Sequence, residues 1–250
     1  MYDKEGFNEM LCQSILNFLT EHSAPPSPRY NKDMFTKKFI TPLLSPFLKE
    51  TKYFKLFGND EHSEGSKERR GAHGRVPDGG VKVVYKEHGQ QILLMEIKSP
   101  KVISEDKIYH PDFTKLANLM KDEVDLMLSK DFPEDTPVFG ILVGGHNGRV
   151  FVMDLVYTKI YRLFEIGSFL IPHNPKDLNR LDDVFDTMVK LNALMGASAA
   201  KCLKVLQVKS SPGTPPRRRQ LYMKHKSSAI VQWLEYRKTI FKCLSYYVYY

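Results

Sequence analysis

Five of the six residues from Ile92 to Ile97 are apolar, and the exception is Glu96. Burying a carboxylate in such a run is costly unless something holds it there. The segment 91–98 (QILLMEIK) reads as a strand, and 81–86 (VKVVYK) before it reads as another. The short turn between them, around His88-Gly89, predicts a β-hairpin. Side chains at i and i+2 of a strand share a face, so Glu96 and Lys98 point the same way whatever the register. Asp78 enters at the start of the first strand, and the hairpin brings it close to them.

The rest of the core follows from periodicity. Residues 112–129 carry Phe113, Leu116, Ala117, Met120, Val124, Met127 and Leu128 as one apolar stripe, which predicts an amphipathic helix. The continuous apolar run 137–143 (PVFGILV) suits a strand covered on both faces. The turn Gly144-Gly145-His146-Asn147-Gly148 leads into a further strand over 149–156, and 159–171 is strand or mixed. Leu181, Val184, Phe185, Met188, Leu191 and Met195 mark a second core helix. Strand, strand, helix, strand, strand, helix is the order of an α/β (α+β) layer architecture.

Upstream, Phe7, Leu11, Ile15 and Phe18 predict a short helix over 7–19 that stops before the linker Ala24-Pro25-Pro26-Ser27-Pro28. A second helical segment starts near Asn31 or Asp33, either of which caps it, and Pro42 and Pro46 must kink or end it. Residues 58–74, polar and glycine-rich, read as a mobile loop. After about Val208 comes a Ser/Pro/Gly linker, then Arg217, Arg218, Arg219, Lys224 and Lys226, then an aromatic stretch without clear period. The expected organisation is an N-terminal helix and linker (1–28), a central domain (29–207) and a basic, aromatic tail (208–250).

Composition narrows the partners. Lys plus Arg number 37 against 29 Asp plus Glu, a formal charge of +8 that favours an anionic partner, nucleic acid first and an acidic membrane surface second. Cys12, Cys202 and Cys243 have no ligand-like spacing, so neither a disulfide framework nor a zinc site is expected. The N-terminal stretch does not read as a secretory signal and no run reaches the length of a membrane span, which points to an intracellular chain, in nucleus or cytoplasm.

Hydrolysis of a phosphodiester with Mg²⁺ or Mn²⁺ needs carboxylates on the ion and a cation near the attacking water. Two neighbouring strands, one bringing a carboxylate and the other an acid-x-lysine, are a compact way to build that set. Val76-Pro77-Asp78-Gly79, a strand, a turn, and then Leu94-Met95-Glu96-Ile97-Lys98-Ser99-Pro100 resemble the PD-(D/E)xK nuclease superfamily. Together with the helix around Lys115 to Asp122, the strand 137–143 and the stretch Val152 to Arg162, the pattern looks like a group of uncharacterised fungal proteins of this type, over roughly residues 30–205. The resemblance implies a restriction-endonuclease-like core, a central mixed sheet flanked by helices. It assigns the acidic, metal-holding roles to Asp78 and Glu96 and the lysine role to Lys98, with Mg²⁺ or Mn²⁺ as cofactor and DNA as the foremost substrate.

Other residues carry two readings each. Asp33 stands where superfamily members often have a glutamate that completes the metal site, and it also fits a helix cap. Lys115 faces either the site or solvent, and Asp154 fits a hydrogen-bonded structural acid. His73, His88, His110 and His146 share no spacing that implies histidine catalysis. Arg217, Arg218 and Arg219 suit a sequence-independent phosphate-binding arm. The function expected is a metal-dependent nuclease. The alternatives are an inactive nucleic-acid-binding or assembly module of the same fold, or an interaction protein docking through its aromatic tail.

Overall fold

The hairpin forms the middle of the sheet. In the computed structural model, which describes residues 4–21, 31–100, 111–157, 160–172 and 175–210, β2 (Gly79–Tyr85) pairs antiparallel with β3 (His88–Lys98). The turn is Lys86-Glu87 rather than His88-Gly89, because Lys86 takes a φ of 53° and closes it without a glycine. His88 and Gly89 already pair with Tyr85 and Val84.

Six strands make the sheet, in the order β1-β2-β3-β4-β5-β6, with β1 (Phe54–Phe57), β4 (Val138–Gly144), β5 (Asn147–Tyr157) and β6 (Ile160–Leu170) completing it. Only β3 and β4 run parallel, and every other pair is antiparallel. A parallel pair needs a crossover, and α5 (Pro111–Ser129) lies in it. Gly140 lies against the Met120 and Leu116 side chains of α5, close enough that a Cβ there would have to displace them. Gly167 lies against Thr187 of α6 (Leu181–Lys209), and the register Ile141–Val150–Gly167 puts it on the opposite face from Gly140. The architecture is a mixed sheet covered by helices on both faces, as the strand and helix order anticipated. Helix α6 continues to Lys209, one residue past the compositional change at Val208.

α1 (Lys4–Glu21) buries Met10 and Phe18. α2 (Lys32–Phe35) passes through a π-helical turn, Thr36–Ile40, into α3 (Thr41–Leu44). Pro42 has no N–H to give to an i−4 carbonyl, and the widened turn just before it relieves that mismatch. The cap of α2 is Asn31, whose side chain accepts from the Met34 amide at 2.9 Å. Asp33 lies inside the first turn and is not the cap.

Residues 58–74 correct the expectation of a mobile loop: they contain α4 (Glu64–Arg70), followed by a 3₁₀ turn, Gly71–His73. The stabilising partners come from far along the chain. Ser63 caps α4, accepting from the Ser66 amide at 3.1 Å, and donates to Glu123 at 2.7 Å. Glu123 also accepts from the Gly65 amide (2.8 Å) and Gln90 (3.0 Å), and Arg69 pairs with the buried Asp122 at 2.6 Å. Gly65 has no side chain because a Cβ there would collide with the Asp122 carbonyl. No helix among the described residues is long and apolar enough to cross a membrane. Residues 211–250, with Arg217, Arg218 and Arg219, lie outside the described residues.

Candidate active site

Strand pairing assembles the site. Gly79 pairs with Met95, so the next rung of the ladder sets Asp78 against Glu96. The Asp78 amide extends the ladder by donating to the Met95 carbonyl at 2.8 Å. The Asp78 carboxylate turns back, one oxygen accepting from the Ile97 amide at 2.7 Å and the other pairing with Lys32. A carboxylate fixed by a backbone N–H and an ammonium has little rotamer freedom, so its position is preset.

Glu96 is 1% exposed and lies on the face of β3 that meets α5. Lys115, from the second turn of α5, stands 2.6 Å from Glu96 Oε1 and donates to the Val76 carbonyl at 3.0 Å. Neither Glu96 oxygen receives a well-directed hydrogen bond among the described residues. Burial, reinforced by the Asp78 charge and opposed by Lys115 and Lys32, pushes the Glu96 carboxyl up to about 7. A buried carboxylate with unused acceptor capacity beside a second carboxylate is a perturbed group of the kind that clusters at functional sites.

Lys98 follows Glu96 by two residues on the same face. Its ammonium lies 3.5 Å from Asp112 Oδ1 in the first turn of α5, and its carbonyl accepts from the Gly145 amide at 3.0 Å. That bond ties the end of β3 to the two-residue turn after β4, where Gly145 takes a φ of 60°. Asp78, Glu96 and Lys98 thus gather at one end of the sheet beneath the start of α5.

The other candidates divide. Lys115 faces the site. Asp33 is exposed and makes no ion pair with the cluster among the described residues, whereas its neighbour Lys32 does. Asp154 is held by Arg162 through two hydrogen bonds of 2.8 and 2.7 Å, a structural role. Lys32 and Asp112 went unnoticed in the sequence. Lys32 lies 46 residues from its partner, with no spacing rule connecting them.

The donor set matches in kind what an Mg²⁺-type ion takes: two carboxylates, all oxygen, one of them with open acceptor positions. No group of three or more His, Cys, Asp or Glu side chains that could hold an ion gathers among the described residues. Comparison with family models, with curated proteins and with solved structures returned no match.

Proposed function

We propose that this chain is a metal-dependent nuclease that hydrolyses phosphodiester bonds, of DNA foremost, in the manner of the PD-(D/E)xK superfamily it resembles. The observation that carries the reading is Glu96, a buried carboxylate with unused acceptor capacity, set against Asp78 and two residues before Lys98. The mixed sheet flanked by helices is compatible with a restriction-endonuclease-like core.

Asp78 and Glu96 are the residues that would hold the ion. Mg²⁺ or Mn²⁺ bound there would supply Lewis-acid neutralisation of the phosphate and lower the pKa of a water. Lys98 orients the attacking water and counters charge building on the phosphate oxygens. Lys115 opposes the upward shift that burial imposes on Glu96, which favours the ionised form that metal holding requires, and Lys32 pairs with Asp78. In the reaction the water oxygen bonds to phosphorus, the bond to the leaving sugar oxygen breaks, and a water proton ends on that oxygen.

A second reading, an inactive nucleic-acid-binding module of the same fold, draws on one feature: Asp78 and Glu96 already have lysine partners, and Lys98 is turned toward Asp112. Incubating the protein with plasmid and single-stranded DNA, with Mg²⁺ or Mn²⁺ and with chelator, decides between them. Cleavage that needs the metal and disappears in Glu96→Gln supports the nuclease. Binding without cleavage of any DNA or RNA form selects the second reading.

A further inference from the structure

Beside the cluster runs an open groove of about 530 Å³, lined by Arg75, Val76, Pro111, Thr114 and Lys115. The charges around it are matched one to one: Lys32 with Asp78, Lys115 with Glu96, and Lys98 with Asp112. Arg75 is the exception, since its guanidinium has no carboxylate at ion-pair distance among the described residues. Its backbone is nevertheless fixed. The Arg75 amide donates to Ser66 Oγ at 2.9 Å, and its carbonyl accepts from the Ser63 amide at 3.0 Å. Ser63 is in turn bonded to the buried Glu123. Among the described residues Arg75 is therefore a cation without a carboxylate partner, on a mount fixed through its backbone, three residues from Asp78 and in the same groove as Lys115. Lys67 and Arg70, exposed and without ion pairs among the described residues, belong to α4, whose backbone packs against Gly74. Glu68 is the acidic residue between them.

We propose that this groove holds one strand of nucleic acid and that Arg75 binds the phosphate adjacent to the one at Glu96. The inference rests on the nuclease reading for what happens at Glu96, but it concerns binding and can be tested apart from turnover. An anionic strand suits the groove because the surplus charge is a guanidinium, which presents two parallel N–H donors to phosphate oxygens. The volume is of the size of a nucleotide unit. Arg75 is a positioning residue here: it sets which phosphate lies over the carboxylates without touching the reacting atoms.

The test is fluorescence anisotropy of a labelled 20-nucleotide single-stranded DNA on the full chain, with Ca²⁺ in place of Mg²⁺, across a salt series. The proteins compared are wild type, Arg75→Gln and Lys190→Gln, the last removing one charge from the exposed face of α6 where Lys190 pairs with Asp186. Arg75→Gln should lose roughly tenfold in affinity. Its plot of log K against log salt should flatten by about 0.7, one phosphate contact on a single strand. Lys190→Gln should change neither. Equal effects of the two variants, or wild-type affinity and slope in Arg75→Gln, overturn the assignment while leaving the nuclease reading intact. Binding that depends on Arg75 in a protein that cleaves nothing upholds the assignment and removes the nuclease reading.

Discussion

Lys115 holds its ammonium 2.6 Å from Glu96 Oε1 and also donates to the Val76 carbonyl, so one α5 side chain joins the end of β3 to the segment that carries Asp78. Glu96 is 1% exposed, and among the described residues no backbone donor shares the task of compensating its charge. Removing the ammonium strands a buried carboxylate. Lys115→Met should cost about 1–3 kcal/mol at pH 8, less than a fully buried pair because Lys115 is partly exposed. Glu96→Gln in the same chain should restore much of that loss. Urea unfolding of wild type, both single variants and the double variant measures the coupling; additive losses would mean that Glu96 does not depend on Lys115.

Stability should fall as pH rises from about 4.5 to about 7. Burial raises Glu96 and Glu123 from 4.5 to about 7, so over that window the folded state holds protons that the unfolded state has released. The stability these two groups contribute is fully present below about 4.5 and lost as pH passes through about 7. Each group contributes a slope of at most about 1.4 kcal/mol per pH unit within the window. Glu123→Gln should flatten the profile while keeping acceptors for the Gly65 amide and Ser63, and Glu123→Ala should cost about 2–4 kcal/mol by leaving those donors unpaired. Melting temperatures from pH 4.5 to 8 show whether the flattening occurs.

How much of this was legible in the sequence depends on whether the information was local. Strand parity alone puts Glu96 and Lys98 on one face, and the hairpin puts Asp78 beside them, because both follow from residues a few places apart. The α5 stripe and the apolar run of β4 were equally plain. Lys32 was not, since only the fold brings α2 to Asp78. The segment 58–74 misled for the same reason. Its composition is that of a loop, and its order comes from Glu123, Asp122 and Gln91, which satisfy the polar groups of α4 and its cap from elsewhere in the chain. β1, four residues long at the sheet edge, is too short to announce itself by alternation.

The order of α4 can be tested at Gly65. An added methyl group there meets the backbone of Asp122 and Glu123, which no rotamer change relieves. Gly65→Ala should destabilise by about 1–3 kcal/mol. Gly196→Ala, in the exposed interior of α6 with nothing near its absent Cβ, should instead stabilise by about 0.5–1 kcal/mol. A Gly65→Ala denaturant midpoint at or above that of wild type would show that α4 does not pack on α5 as described, and Gly196→Ala serves as the control for a glycine whose Cβ meets nothing.

The division of labour between the two site lysines gives the last prediction. Lys98 and Asp112 are each about a third exposed and 3.5 Å apart, an ion pair of the kind worth about 0–1 kcal/mol. The Lys98 ammonium can therefore be removed with little effect on folding, and since Asp78 and Glu96 remain, with little effect on metal holding. What it would take away is charge near the phosphate in the transition state, where loss of one preorganised donor typically costs about 10²–10³ in rate. Lys98→Ala should keep the wild-type melting temperature within a few degrees and the wild-type Mn²⁺ affinity by calorimetry, while cleavage falls by about that factor. Lys115→Met should show a different signature, with Mn²⁺ affinity reduced at pH 7 because Glu96, without its ammonium, holds its proton to higher pH. Wild-type turnover in Lys98→Ala alongside normal metal affinity and lost turnover in Lys115→Met would transfer the catalytic lysine role from β3 to α5.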